Sequence, residues 1–174
     1  MIKHDHIEVL EPVVEDNTPL VDAMNDEIRK SVARADISIV EDFLHSLPPD
    51  TLIDPDSLVD HIFAPGVYVR QMLLPAGSTV VGKIHKTRHV SIISHGRVTV
   101  VTENGEEVLT APHTFINEPG ERRVVCAHTD TIWTTIHPTK ETDLKVIEDE
   151  VIAKTYEEFL EYQEKLHLEA NGEV

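Results

Sequence analysis

The stretch PAGSTVVGKIHKTRHVSIISHG, residues 75–96, decides the fold of this chain. Two segments rich in β-branched residues, 78–84 and 90–94, flank a polar segment that begins with His85 and ends with His89. β-branched side chains favour strands, so the stretch predicts two strands with a polar connection. On one straight strand the two histidines would stand roughly 13 Å apart, at ~3.3 Å per residue. They can converge only if the polar segment bends the chain.

Further strand patterns continue from this stretch in both directions. The apolar runs are short and are separated by Asn-Gly, Pro-Gly and Asp-containing turns. The predicted strands are residues 67–74, 78–84, 90–94, 97–102, 107–112, 113–117, 122–127 and 131–137. This rhythm is typical of a β-sandwich or a small β-barrel.

Helical patterns lie at both ends of the strand region. Two helices are predicted before it, one capped by Thr18 and one capped by Asp36. The Asp- and Pro-rich segment 49–61 that follows them predicts a surface loop. One long helix, capped by Thr142, is predicted after the strands. Residues 1–17 are predicted to form a tail or an added edge strand.

Apolar stripes mark one face of each predicted helix, at steps of three and four residues. They consist of Leu20, Met24, Ile28 and Val32, then Ile37, Val40, Phe43, Leu44 and Leu47, and finally Leu144, Ile147, Val151, Thr155, Phe159, Tyr162 and Leu166. Together they offer more apolar surface than one small barrel covers. We therefore expect a homo-oligomer, a dimer or a larger assembly.

The charge divides the chain into three parts. Residues 1–62 carry 4 Lys/Arg against 15 Asp/Glu, residues 63–138 carry 7 against 6, and residues 139–174 carry 4 against 11. This pattern predicts an acidic N-terminal helical arm, a nearly neutral β-barrel and an acidic C-terminal helix, with those boundaries. Acidic arms repel phosphate backbones, so no nucleic-acid duplex is expected as a partner.

The remaining composition predicts a cytoplasmic protein. The only cysteine, Cys126, has no partner for a disulfide within the chain. No apolar run approaches the ~20 residues of a membrane span, so no membrane partner is expected. The first residues also lack the apolar stretch of a secretory signal.

One motif links the opening stretch to a known family. The pattern Gly77-x5-Lys83-x-His85-x3-His89-x6-Gly96 resembles the first motif of the cupin superfamily, Gly-x5-His-x-His-x3-Glu-x6-Gly, in which two His and a Glu bind a metal. The spacing matches fully. Lys83, however, stands at the position of the first His, and His89 at that of the Glu. The resemblance implies a mainly β fold, the double-stranded β-helix or jelly-roll barrel of the RmlC-like cupins.

The second cupin motif, Pro-x-Gly-x2-His, falls on residues 118–123, so Arg123 occupies the position of the fourth ligand. The resemblance covers about residues 63–138. The chain is similar in particular to uncharacterised cupin-like proteins, many of them phage-encoded, that share phrases such as GKIHKxxH and WTTIHP. For a phage protein the expected location is the cytoplasm of the host cell.

His137 is the best candidate for a third ligand. If residues 122–127 and 131–137 form a hairpin that pairs Val124 with Thr134, Arg123 opposes Thr135 and shares a face with His137. A divalent metal could then be held by His85, His89 and His137, since imidazole nitrogen is a preferred ligand of such ions.

Fixed positive charges at two ligand positions predict a different occupant. Ammonium and guanidinium groups oppose a cation and suit a phosphate or a carboxylate. Trp133 is either filler in the barrel or a platform for a stacked ligand. The residues predicted to contact an anionic ligand are Lys83, His85, His89, Arg123, Trp133 and His137.

Three functions remain open at this point. The first is a non-enzymatic module that binds or sequesters an anionic small molecule in the barrel mouth, one that bears a phosphate or a carboxylate, with nucleotide-like molecules included. The second is a metal-dependent cupin enzyme that uses the three histidines. The third is a structural or interaction protein whose acidic helices form its working surface. The fold by itself selects no reaction.

Overall fold

The computed structural model describes residues 18–172, so the prediction for residues 1–17 lies outside the described residues. Three α-helices and two short 3-10 helices accompany eleven strands. The helices are α1 (Thr18–Ser46), α2 (Leu144–Val151) and α3 (Tyr156–Asn171), with the 3-10 turns at Pro49–Thr51 and Pro55–Leu58. The strands are β1 (Val59–Ala64), β2 (Val67–Leu74), β3 (Thr79–Val81), β4 (Ile84–His85), β5 (His89–His95), β6 (Arg97–Thr102), β7 (Gly105–Thr110), β8 (His113–Asn117), β9 (Arg123–Ala127), β10 (Thr131–Pro138) and β11 (Ile152–Ala153).

Two antiparallel sheets face each other. One has the strand order β1-β2-β10-β5-β8 and the other the order β3-β9-β6-β7, while β4 and β11 form a separate pair. The chain repeatedly crosses from one sheet to the other, as in the two Greek keys of a jelly roll. The predicted mainly β jelly-roll barrel, with helical segments before and after it, is therefore confirmed.

The core lies between the two sheets. Alternate residues along each strand point inward, because successive side chains of a strand face opposite sides. Eight buried side chains from both sheets pack together there, namely Leu74, Ile93, Val98, Val100, Leu109, Val125, Ala127 and Trp133. At one end of the barrel this apolar filling gives way to buried polar residues, among them His89, Asn117, Thr135 and His137.

The predicted hairpin between residues 122–127 and 131–137 is wrong. β9 pairs with β3 and β6, whereas β10 pairs with β2 and β5. The turn between them carries the chain from one sheet to the other instead of reversing it within one sheet. As a result, Arg123 lies opposite Thr102 of β6, not opposite Thr135.

The predicted strand 78–84 is two strands. β3 ends at Val81 and pairs with β9, and β4 then pairs with β11 near the C-terminus. The Gly82 amide still donates to the Arg123 carbonyl at 2.8 Å, so the chain leaves the sheet only after this residue.

The predicted C-terminal helix is also divided. Its first segment, α2, is capped by Asp143 rather than by Thr142, and its second segment, α3, is capped by Thr155. Between them β11 leaves the helical path to supply the strand that β4 lacks. The apolar stripe therefore contacts the barrel in two clusters. Ile147 and Val151 pack on Tyr68, and Phe159 and Ala153 pack on Ile84.

The N-terminal region differs from its prediction in two respects. Thr18–Ser46 is one continuous helix, so Asp36 lies inside it and does not cap a second one. The segment predicted as a loop contains the two 3-10 turns and then enters β1 at Val59, before the expected start of the barrel at residue 63. An Asp before apolar residues is typical of a helix cap, but this local pattern does not distinguish the start of a helix from a position inside a longer one.

None of the helices among residues 18–172 is long and apolar enough to cross a membrane.

Gly120 links the barrel to α3, and its substitution tests that contact. Its φ is +80°, and a Cβ there would lie 2.6 Å from Cζ of the buried Phe159. Gly77 has the same φ but nothing within 4 Å of the added carbon. We expect Gly77→Ala to cost about 1 kcal/mol of unfolding free energy for the left-handed backbone. Gly120→Ala should cost roughly 1–3 kcal/mol more, because the ring must move. Urea unfolding of both variants measures the difference, and equal losses would show that Phe159 relaxes freely.

Candidate functional site

Three histidines meet at the polar end of the barrel. His85 ends β4, His89 begins β5, and His137 lies near the end of β10. The ring centroids are 4.1 Å apart for His85 and His89, 4.5 Å for His89 and His137, and 5.3 Å for His85 and His137. One nitrogen from each ring lies within 4.8 Å of the other two. We call these three residues the histidine cluster.

Backbone contacts produce the bend that brings His85 and His89 together. The Lys86 amide donates to the Val151 carbonyl at 2.8 Å, and the Gly120 amide donates to the His85 carbonyl at 2.9 Å. His89 Nδ1 lies 3.2 Å from the Thr87 carbonyl oxygen. A carbonyl can only accept, so His89 Nδ1 carries the proton and Nε2 keeps its lone pair free.

His137 reaches the cluster through strand alternation. Thr131, Trp133, Thr135 and His137 are buried on the inward face of β10. The His137 ring also stacks on Tyr68, with centroids 6.1 Å apart. The Tyr68 hydroxyl is in turn hydrogen-bonded to His61 Nδ1 at 2.7 Å. These contacts hold the ring of His137 on the side of the cluster that faces β2.

Burial keeps the cluster uncharged. Desolvation, followed by the neighbouring histidines and by Arg123 and Arg70, lowers the pKa of His85 from 6.5 to about 2. Desolvation and then the charges of His89 and Arg70 lower the pKa of His137 to about 4. The pKa of His89 is lowered too, mainly by desolvation, although its bond to the Thr87 carbonyl opposes the shift. Neutral imidazole is the form that binds metals.

Two nitrogen atoms of the cluster lack partners. Nδ1 of His85 and Nδ1 of His137 are buried without a hydrogen bond among residues 18–172. Buried polar atoms are nearly always paired, so such atoms call for an explanation. Three neutral imidazoles with unpaired nitrogens fit a divalent transition metal, which prefers this donor set. The residues present therefore pass the chemical test for a metal site.

Lys83 does not belong to the cluster, contrary to the prediction. Its side chain is largely exposed and forms an ion pair with Glu148 of α2. Lys86 likewise pairs with Glu158 at 2.9 Å, and Arg88 pairs with Glu118 at 2.8 Å. The cationic groups flanking the motif are thus neutralised by the acidic C-terminal region and by the β8–β9 turn.

Arg123 and Trp133 do face the interior of the barrel. The Arg123 guanidinium pairs with Glu121 and lies 5.7 Å from the Phe115 ring centroid and 5.8 Å from that of Trp133. The Trp133 Nε1–H donates to Ser91 Oγ at 3.1 Å, and its ring meets Phe115 edge to face. Trp133 is buried within the apolar core, as a filler is.

Arg70 is an interior cation that the sequence analysis missed. It lies on β2 opposite Thr135, one inward position from the pair formed by Tyr68 and His137. Its positive charge contributes to the lowered pKa of His85 and His137. Among the described residues it has no carboxylate within ion-pair distance. The signal was present in the sequence, because Arg70 is in phase with Tyr68 and Leu74, the inward residues of VYVRQMLL.

A cavity of about 540 Å³ opens between the β6–β7 and β8–β9 segments. Arg123, Phe115 and Leu109 line its inner part, and Glu106 and Glu107 lie at its edge. Arg123 is shared between this cavity and the histidine cluster, since its charge also lowers the pKa of His85 and His89. The volume is that of an ordinary small-molecule site.

Comparison with known proteins shows similarity to cupin structures. No family model matches the chain, and no curated protein matches it. Similar solved structures include a cupin-2 domain protein from Shewanella frigidimarina (13% identity, TM-score 0.40), over 47% of this chain and 79% of that one. A cupin domain from Bordetella pertussis is 18% identical over 47% of this chain and 91% of its own, with a TM-score of 0.39.

An RmlC-like cupin with a double-stranded β-helix fold from Methanocaldococcus jannaschii is 12% identical, with a TM-score of 0.41 over 51% of this chain and 88% of its own. These similarities cover about half of this chain. The jelly roll itself is identified by the strand order of this chain.

The lowered pKa values predict acid sensitivity of the metal-free protein. Below pH 6.5 the unfolded chain binds protons that folded His85 and His137 do not bind. The free energy of unfolding must therefore decrease as the pH is lowered. We expect a loss of about 1.4 kcal/mol per pH unit for each of the two histidines between pH 6.5 and pH 5. Urea unfolding of EDTA-treated protein at several pH values measures this slope.

Two variants provide the comparison for that slope. His85→Phe should reduce the slope by the contribution of one histidine. His95→Phe, at an exposed position, should leave the slope unchanged. Carboxyl groups with lowered pKa values, such as Glu148, begin to affect stability at about pH 5, and because both variants retain them their contribution cancels in the comparison. An unaltered slope in His85→Phe would mean that folded His85 takes up the proton.

Proposed function

We propose that this chain is a small-molecule-binding protein whose barrel mouth holds a divalent transition-metal ion on His85, His89 and His137. The single observation that carries the proposal is the convergence of three imidazoles, two of them buried and that of His85 partly buried, with one nitrogen from each within 4.8 Å of the others. Three protein ligands leave coordination positions for a bound small molecule, as in catalytic metal sites. The chemistry that such an ion supplies when bound is Lewis acidity toward a ligand oxygen.

The protein prepares the histidines for this role. The carbonyl of Thr87 fixes the tautomer of His89 and leaves Nε2 available, which is the usual outer contact of a metal-binding histidine. Burial removes the competition from protons by keeping His85 and His137 neutral at physiological pH. The segment between β4 and β5 is already ordered by hydrogen bonds, so metal binding does not have to overcome the loss of its conformational entropy.

The finer part of the proposal is that the bound molecule is anionic, with a carboxylate or a phosphate group. Arg70 supports this, because it is a partly buried guanidinium with no carboxylate within ion-pair distance among the described residues, on the same sheet face as His137. Arg123 contributes less, since Glu121 already balances its charge. A buried cation without a counter-ion is costly, and an anionic ligand would relieve that cost.

The remaining part of the ligand belongs in the cavity beside Arg123. Phe115 and Leu109 supply apolar walls there, and the volume of about 540 Å³ admits a small organic molecule. Glu106 and Glu107 at the edge disfavour a second anionic group at the entrance. We therefore favour a ligand with one anionic end directed inward. A polyphosphate, with charge along its length, fits this cavity poorly.

Metal binding is tested by the double variant His85→Ala/His89→Ala. Tag-free wild-type protein should bind one Zn²⁺ or Co²⁺ per chain, as measured by elemental analysis after dialysis. Loss of an outer contact of a metal ligand costs 10–100-fold in affinity, so loss of two ligands should cost at least about 100-fold. His95→Ala/His113→Ala, which removes two histidines outside the cluster, should bind like the wild type. Equal metal content in both double variants would refute the site.

The anionic ligand is tested by Arg70→Met. The probe is benzoate, which has one carboxylate and an apolar remainder, titrated calorimetrically into Zn²⁺-loaded protein. Removal of one charge-assisted contact should weaken benzoate binding about 10- to 100-fold, while metal content stays unchanged. The matched control is Arg97→Met, at an exposed position of β6. If Arg70→Met binds benzoate as tightly as the control does, Arg70 is not the anion-binding group.

A further inference from the structure

The helix α1 packs against the barrel with its polar face. Arg34 forms an ion pair with Glu103, and Glu41 pairs with Arg122 at 2.5 Å. Arg122 also donates to Ser38 Oγ at 3.4 Å, and Ile37 is the one buried apolar residue among the described side chains of this helix. The helix is thus anchored to the outer side of the β3-β9-β6-β7 sheet mainly through charges.

The opposite face of α1 is apolar and exposed. Five of its large side chains, Met24, Ile28, Val32, Ile39 and Phe43, are between 56% and 64% exposed. Ala35 lies among them and is exposed as well. No segment within residues 18–172 covers these six residues, which we call the α1 stripe. A contiguous exposed apolar surface of this kind marks an interaction site.

The spacing within the α1 stripe is self-complementary. From Met24 to Phe43 the steps are four, four, three, four and four residues, so the stripe reads the same in both directions. A second copy laid antiparallel places Ile28 opposite Ile39, Val32 opposite Ala35 and Met24 opposite Phe43. A two-fold interface needs a patch that matches itself in this way. The steps of three and four residues also keep the stripe on one face over its whole length.

The charges beside the α1 stripe favour the same arrangement. Arg29 and Asp36 lie two turns apart and therefore on one flank of the stripe. In the antiparallel pair, Arg29 of one copy comes next to Asp36 of the other. The Arg29 side chain is well exposed, and its present partner is Asp26 of the preceding turn. Complementary flanking charges of this kind set orientation in helix pairs.

We propose that the protein is a two-fold dimer in which the α1 stripes of two copies pack against each other antiparallel. Burial of five large side chains on each copy, at roughly 100 Å² apiece, removes on the order of 1,000 Å² from solvent, about the size at which specific interfaces begin. This inference is independent of the metal and ligand site. It rests on α1, which lies outside the barrel.

The first test is the mass of the full-length protein in solution, measured by light scattering. The wild type should be a dimer, and Ile28→Glu/Ile39→Glu should be a monomer with unchanged circular dichroism. The matched control is Leu160→Glu/Leu166→Glu, which places the same charges at exposed positions of α3 and should remain dimeric. A monomeric wild type would overturn the proposal. A dimeric Ile28→Glu/Ile39→Glu variant would equally overturn it.

The second test fixes the orientation through disulfide formation in a Cys126→Ser background. Ile28→Cys/Ile39→Cys should cross-link two chains under oxidation. Ile28→Cys alone should not, because an antiparallel pair separates the two copies of residue 28 by roughly 16 Å along the helix. A disulfide needs Cα atoms closer than about 7 Å. Cross-linking by the single variant would contradict the antiparallel arrangement and indicate a parallel one.

Discussion

The site depends on how the short strand β4 is held. His85 belongs to a strand of two residues that finds no place in either sheet of the barrel. Its backbone is fixed instead by pairing with β11 and by the bond from the Gly120 amide to the His85 carbonyl. The C-terminal segment is therefore a wall of the site, and Ile147 and Val151 complete it by packing on Tyr68. This closure removes water from the three imidazoles, and the lack of water keeps them neutral.

Two arginines bring positive charge to the barrel mouth, next to the three histidines. The partly buried guanidinium groups of Arg70 and Arg123 oppose protonation of the histidines, which favours the form that ligates metal. Those charges also repel a bare cation, so a metal is held best together with an anion. Metal and anionic ligand, which the sequence presents as alternatives, are thus complementary occupants in the proposed function. The acidic C-terminal region acts outside the barrel, since it neutralises the exposed Lys83 and the partly buried Lys86.

Two adjacent arginines show how the fold separates inside from outside. Arg122, the residue immediately before β9, points outward and connects α1 to the barrel through Glu41. Arg123, the next residue, points inward toward Phe115 and Trp133. Strand alternation alone assigns the neighbours to opposite sides. One residue then anchors the helix that carries the proposed dimer contact, and the other helps to shape the proposed ligand site, although the two surfaces lie on different sides of one sheet.

The sequence by itself determined the mainly β fold, the strand bounds of β2, β6 and β8, and the three histidines that the structure brings together. Alternation and turn residues are local signals, and they specify strands and faces well. The tertiary structure alone decided that β4 pairs with β11, that Lys83 turns outward to Glu148, and that Arg70 enters the barrel mouth. Those outcomes depend on pairing between segments far apart in the chain. A local pattern shows that residues share a face, but it cannot show which distant strand or helix that face will meet.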